Sequence, residues 1–150
     1  MNSVSWYGSL VVAEDNPDDR LLFEEAWSEA GLAQLHLVNN GEELMDFLCH
    51  RGNYADSTQV SKPDLIVLDL RMPKKNGYEA IREIKAHPDL RTIPVVVLTT
   101  STSESDVNRS YDLGACSYLS KPNSFEQLVE LVKVLNHYWF ETVLLPNDQS

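Results

Sequence analysis

Two short runs, Leu65-Ile66-Val67-Leu68 and Val95-Val96-Val97-Leu98, are apolar at every position and rich in β-branched residues. A strand with one wet face alternates apolar and polar side chains, whereas a strand without polar positions is buried on both faces. Covering both faces of a sheet requires helices on each side, which is the arrangement of parallel strands joined by crossover helices. Shorter strand patterns stand in "SLVVAED" (9–15), "LHLV" (35–38) and "CSYLSKP" (116–122), and helical patterns alternate with all of them.

The first helix follows Asn16 as N-cap, with Pro17 at the first helical position and Asp18 and Asp19 at the positive helix end. Leu21, Leu22, Ala26 and Ala30, with Phe23 and Trp27 beside them, form its expected apolar stripe, and Gly31 stops it. A second helix is expected from about Glu42 to Arg51 with Leu44, Phe47 and Leu48 inward, followed by an aperiodic polar loop over 52–63. The third is capped near Asn76 and ended by Pro88, and a weaker fourth over 103–113 is stopped by Gly114. Ser124 and Gln127 form an expected capping box for the last, 125–139, while the tail from Phe140 has no place in this scheme. Five strand–helix units predict one α/β domain, a doubly wound parallel sheet with helices on both faces. Its expected limits are residues 9–140, with a leader over 1–8 and an extension over 141–150.

The longest purely apolar runs are four residues, so no membrane span is expected, and the opening "MNSVSWYGS" lacks the pattern of a secretory signal. Cys49 and Cys116 form neither a disulfide framework nor a CxxC pair, which fits reduced thiols and a cytoplasmic location. A net charge of −11 argues against non-specific binding to nucleic acid or anionic membranes, since both need a basic face. No Gly-rich phosphate loop is present. His36, His50, His87 and His137 show no metal-ligand spacing and read as surface residues.

In open α/β sheets the functional crevice lies beyond the carboxyl ends of the strands. Glu14 and Asp15 follow the first strand, Asp69 the third, Thr99 and Thr100 the fourth, and Lys121 the fifth. Unit charges about 4 Å apart repel by roughly 4 kcal/mol at an effective dielectric of about 20. One lysine cannot offset three carboxylates so placed; either their pKa values rise or a cation binds. Carboxylate oxygens without nearby Cys or His point to Mg²⁺. Beside such an ion Asp69 is a candidate nucleophile toward a phosphoryl group, with the metal and Lys121 neutralising its oxygens and a Thr99 hydroxyl donating to one of them. Asp18 and Asp19 are expected to cap their helix and face water. Met72 and Pro73 are expected to shape the loop after Asp69. Tyr138, Trp139 and Phe140 give the last turn enough aromatic surface for a dimer contact.

The elements "AEDN", "LDLRMPKKNG", "VVVLTT" and "SYLSKP", in this order and spacing, resemble the receiver domain of two-component response regulators over roughly residues 9–138. The resemblance implies a flavodoxin-like five-stranded sheet of order 2-1-3-4-5, a sensor histidine kinase as partner and a signalling role rather than turnover of a substrate. By position, Asp69 is then the phosphoacceptor, Asp15 and Asp69 ligate Mg²⁺, Glu14 helps through water, and the Arg71 backbone carbonyl completes the protein ligands. Thr99 and Lys121 bind the phosphoryl group, the Lys121–Pro122 peptide is cis, and Tyr118 is the aromatic switch that moves as Thr99 turns. Arg71 is unusual two residues after the acceptor; it screens the phosphate or pairs with Glu14. An aspartyl-phosphate hydrolase or a phosphate-independent scaffold are the competing readings, and Arg71 stands where such hydrolases carry a second acid. "PKKNGYE", the 52–63 loop and "HYWFETVLLP" look most like regulators paired with bacterial phytochromes, notably cyanobacterial ones, which implies a light-sensing kinase and a homodimer.

Overall fold

A computed structural model describes residues 8–56 and 62–146. Strands β1 (Ser9–Ala13), β2 (Gln34–Val38), β3 (Leu65–Leu68), β4 (Val95–Thr99) and β5 (Ser117–Ser120) form one parallel sheet in the order β2-β1-β3-β4-β5. Helices α1 (Pro17–Ala30), α2 (Gly41–Cys49), α3 (Gly77–Ala86), α4 (Glu104–Leu113) and α5 (Phe125–Asn136) cover its faces. The flavodoxin-like order expected from the sequence is the order found.

Alternation along the strands splits the core in two. Leu65 and Val67 join Leu10, Val12, Val96 and Leu98 under α1 and α5, with Phe23, Trp27, Val132 and Leu135. Ile66 and Leu68 join Val11, Ala13, Val95 and Val97 on the opposite face, with Leu44, Phe47, Ile81 and Ile84 from α2 and α3. All four residues of β3 and all five of β4 are buried, as two-sided strands must be.

Capping follows the sequence closely at α1 and α3. The Asn16 side chain accepts from the amides of Asp18 and Asp19, and Asn76 with Glu79 makes a full capping box. Gly114 ends α4 at φ 117°, a left-handed backbone that favours glycine. At α5 the expected box is incomplete: Ser124 accepts from the Gln127 amide, but the Gln127 side chain accepts from Asn123 rather than from the cap residue. α2 ends at Cys49, because His50 adopts a left-handed backbone at φ 56°. The sequence-expected loop over 52–63 opens with a 3₁₀ turn, Gly52–Tyr54, held by the Tyr54 hydroxyl on Glu43 at 2.7 Å; its residues 57–61 lie outside the described residues.

Two features depart from expectation on the α1 side. Leu21 and Leu22 are 54% and 39% exposed, because Phe23, Ala26 and Trp27 already fill the face that α1 turns to the sheet and α5. The chain beyond α5 continues as a π-helical turn, His137–Thr142, which carries Phe140 edge-on to Trp27 at 6.1 Å. Asn136, 5% exposed, accepts from the Leu32 amide at 2.9 Å and so pins the α1–β2 loop to the end of α5. Truncating a buried acceptor strands its donor at a cost of about 1–3 kcal/mol. Asn136→Ala is therefore expected to lower the free energy of urea unfolding by about that amount with an unchanged m-value.

Candidate functional site

The sheet ladder carries the site residues just past the strand ends. The Glu14 amide donates to Val38 at 3.0 Å, the Asp69 amide to Ala13 at 3.2 Å, and the Lys121 amide to the Thr99 carbonyl at 2.8 Å. Three residues distant in sequence thereby reach one edge in fixed register. Gly77 permits the return of the chain after Asp69: a Cβ there would lie 2.6 Å from the Asp69 carbonyl oxygen and 2.7 Å from Leu70 Cα.

Both Asp69 oxygens are engaged. Oδ1 accepts from Thr99 Oγ1 at 2.7 Å and from the Arg71 amide at 3.3 Å, and Oδ2 accepts from Lys121 Nζ at 2.8 Å. The Lys121 ammonium also meets Glu14 Oε1 at 2.6 Å and Asp19 Oδ2 at 2.9 Å. Carboxylate oxygens of Glu14, Asp15 and Asp69 lie within 4.8 Å of one another, so their all-oxygen donor set fits a hard divalent cation. Asp15 is exposed, whereas Glu14 and Asp69 are buried and Thr99 is fully so.

Burial pushes the Glu14 carboxyl above the usual range, although Lys121 and the Asn16 amide draw it down. Burial by itself would lower Lys121, but hydrogen bonds to Asp69, Glu14 and Asp19 outweigh it and raise the ammonium above the ordinary lysine value. The amine is therefore charged throughout the neutral range.

The expected residues Glu14, Asp15, Asp69, Thr99 and Lys121 meet in one cleft, while the neighbouring Thr100 is exposed. Three expectations need correction. Asp19 does not simply face water: from the first turn of α1 it reaches back over the strand edge to Lys121. Arg71 pairs with Asp106 of α4, its guanidinium 3.7 Å from Oδ2, and not with Glu14, whose carboxylate is held by Lys121. The Lys121–Pro122 peptide is trans, as are all peptides among the described residues. Trans is the lower isomer by about 0.5–1 kcal/mol for X–Pro bonds, and from it Lys121 still reaches all three carboxylates. Tyr118 is half-buried and donates to the Ser101 carbonyl at 2.8 Å.

Asp106 and Ser101 were missed from the sequence. Ser101 Oγ donates to Asp106 Oδ2 at 2.5 Å, and the Tyr78 hydroxyl bonds the other oxygen. These bonds, first that from Ser101, hold the Asp106 carboxyl below its usual range. Its position in the first turn of a weak helix gave only a capping signal.

The chain matches the family described as response regulator receiver domain over residues 10–133. Response regulator Rcp1 of Synechocystis sp. is 42% identical over 137 residues, 91% of each chain. Among solved structures, the phosphorylated cyanobacterial phytochrome response regulator RcpA superposes with a TM-score of 0.86 at 40% identity, covering 94% of this chain and 99% of that one. The Mn²⁺-bound form of Rcp1 gives 0.83 at 40% identity over 93% and 99% of the two chains.

Removing the shared cation exposes the carboxylates to one another. Breaking a buried pair by deleting one partner costs about 3–5 kcal/mol, so Lys121→Gln is expected to lose about 3 kcal/mol of stability at pH 7 in chelator-treated buffer. With its pKa raised, folded Glu14 holds its proton to higher pH than the unfolded chain does. The contribution of Glu14 to stability therefore falls as pH rises through the carboxylate range, and losing the ammonium steepens that slope. Urea unfolding at pH 5 and pH 7 is expected to give a smaller Lys121→Gln deficit at the lower pH.

Proposed function

The chain belongs to the response regulator receiver domain family, and on that premise we propose that Asp69 is its phosphoacceptor. As a response regulator it receives phosphoryl groups from a histidine kinase and serves signalling. The observation that carries the assignment is the pair of contacts on Asp69, Lys121 on one oxygen and Thr99 on the other, beside the carboxylates of Glu14 and Asp15.

In transfer from a phosphohistidine, an Asp69 oxygen forms a new P–O bond as the P–N bond breaks. The bonding pair stays on the imidazole, which leaves neutral when its other nitrogen carries a proton. Thr99 and Lys121 then move from the carboxylate to the oxygens of the arriving group, where a hydroxyl donor and a compact ammonium stabilise developing charge. Asp15 and Asp69 directly, Glu14 through water and the Arg71 backbone carbonyl are the residues to hold Mg²⁺, which when bound supplies the positive charge that the lone lysine lacks. Asp19 holds Lys121 against the α1 side of the cleft while no phosphoryl group is present. As Thr99 turns, Tyr118 exchanges its bond to the Ser101 carbonyl for an inward position and alters the surface made by α4, β5 and α5.

We infer that the kinase is a light-sensing one of the phytochrome type, supported by the similarity to RcpA, and that the chain forms a homodimer. Exposed Tyr111, Val134, Tyr138 and Leu144, at 47%, 65%, 51% and 99%, supply an apolar surface on α4, α5 and the segment after it.

Incubation with a small phosphodonor and Mg²⁺ is expected to add one phosphoryl group to the chain by intact mass, and Asp69→Asn is expected to add none. Equal labelling of the two chains would remove Asp69 from this role. Size-exclusion chromatography with light scattering is expected to give a dimer mass in the presence of beryllofluoride, reduced to the monomer by Tyr138→Glu.

A further inference from the structure

Asp106, in the first turn of α4, has more partners than a helix terminus requires. Ser103 caps its amide at 3.2 Å, while its carboxylate accepts from Ser101 at 2.5 Å and from Tyr78 of α3 and pairs with Arg71 at 3.7 Å. Tyr78 in turn carries the Arg109 guanidinium on its ring face, 3.9 Å from the centroid. Ser101 is also the residue whose carbonyl receives the Tyr118 hydroxyl. One carboxylate thus ties the loop after Asp69 to α3, to the β4–α4 loop and to α4.

Arg71 connects this cluster to the acceptor. Its amide donates to Asp69 Oδ1 at 3.3 Å, and its side chain, 75% exposed, lines an open groove shared with Asp15, Met72, Tyr78 and Asp106. A long, exposed ion pair at 3.7 Å is a weak tie. A phosphoryl group on Asp69 offers nearly two charges and three acceptor oxygens, a better match for a planar guanidinium than a carboxylate already bonded to Ser101 and Tyr78.

We propose that Asp106 is a positioning residue that holds Arg71 aside in the resting chain, and that Arg71 trades Asp106 for the phosphoryl group once Asp69 carries it. The inference rests on Asp69 being the acceptor. The exchange has two effects. Arg71 covers the open side of the phosphoryl group and slows hydrolysis, in which a water oxygen bonds to phosphorus and the acyl-phosphate P–O bond breaks. The electron pair of that bond returns to the Asp69 carboxylate, and both protons of the water leave on the inorganic phosphate as dihydrogen phosphate. Asp106, meanwhile, loses the guanidinium that linked it to the acceptor loop, so the first turn of α4 is released from that loop.

The test is the lifetime of the phosphorylated chain, loaded with acetyl phosphate and Mg²⁺, desalted and followed by intact mass in Mg²⁺ buffer. Asp106→Asn keeps the size of the side chain and an acceptor oxygen for Ser101 or Tyr78 while discarding the charge. With Arg71 no longer shared, its phosphoryl half-life is expected to lengthen about two- to fivefold, the range commanded by an exposed ion pair. Arg71→Gln, at an exposed side chain and with its backbone carbonyl intact, is expected to shorten the half-life. Adding Asp106→Asn to Arg71→Gln is expected to change nothing further. A merely structural role for Asp106 would shift the half-life by the same factor in both backgrounds, and that result overturns the proposal, as does an unchanged half-life in Asp106→Asn alone. An unmodified chain that takes no label overturns the acceptor assignment and this inference with it. A labelled chain whose half-life ignores Asp106 overturns only the inference.

Discussion

One ammonium shared by three carboxylates governs this cleft. Lys121 meets Glu14, Asp19 and Asp69 at 2.6, 2.9 and 2.8 Å, and a single positive charge cannot neutralise three negative ones. The remaining imbalance shows in Glu14, which burial drives toward its protonated form despite the lysine beside it. Left to stability alone, such a cluster would be better replaced by apolar side chains. Its place at the strand ends makes sense as chemistry: an acidic site short of positive charge favours a divalent cation.

The sheet supports this arrangement at the end of its own ladder, where Asp69 follows β3 directly and Thr99 is the last residue of β4. β3 and β4 are buried on both faces, so Asp69 and Thr99 emerge from rigid, fully packed strands. Position is therefore inherited from the core. Thr99 is fully buried and Lys121 half-buried, whereas Asp15 and Arg71 are exposed. The cleft is buried at its base and open toward solvent.

Most of this base was legible in the sequence. Fully apolar runs announced the central strands, and the polar residue that ends each run, Asp69 or Thr99, marked the cleft. The strand-end rule assembled Glu14, Asp15, Asp69, Thr99 and Lys121 without knowledge of any contact. What escaped were residues whose roles depend on the path of a loop or the rotation of a helix. Asp19 carries a good helix-end signal, and nothing in that signal distinguishes a carboxylate facing water from one folded back onto Lys121. Leu21 and Leu22 fit an apolar stripe, but Phe23 and Trp27 claim the buried face first because they fill it with fewer side chains. The partner of Arg71 was invisible for a related reason: Asp106 lies thirty-five positions away in the weakest helix, and only the close approach of α3 and α4 brings it near.

Asp69 thus faces two unlike neighbourhoods. On its inner side are Thr99 and Lys121, donors fixed by β4 and β5 that can transfer their bonds to an arriving group with small displacements. On its outer side is a groove with one long, exposed cation whose present partner belongs to another helix. On the proposed reading, the inner donors bear on whether Asp69 accepts a phosphoryl group. In the proposed exchange, the outer cation bears on how long that group stays and on the release of α4. Dividing these proposed tasks between different side chains lets residue 71 vary while Thr99 and Lys121 keep their bonds to the carboxylate. A bulky cation at residue 71 is the kind of variation that such a division permits.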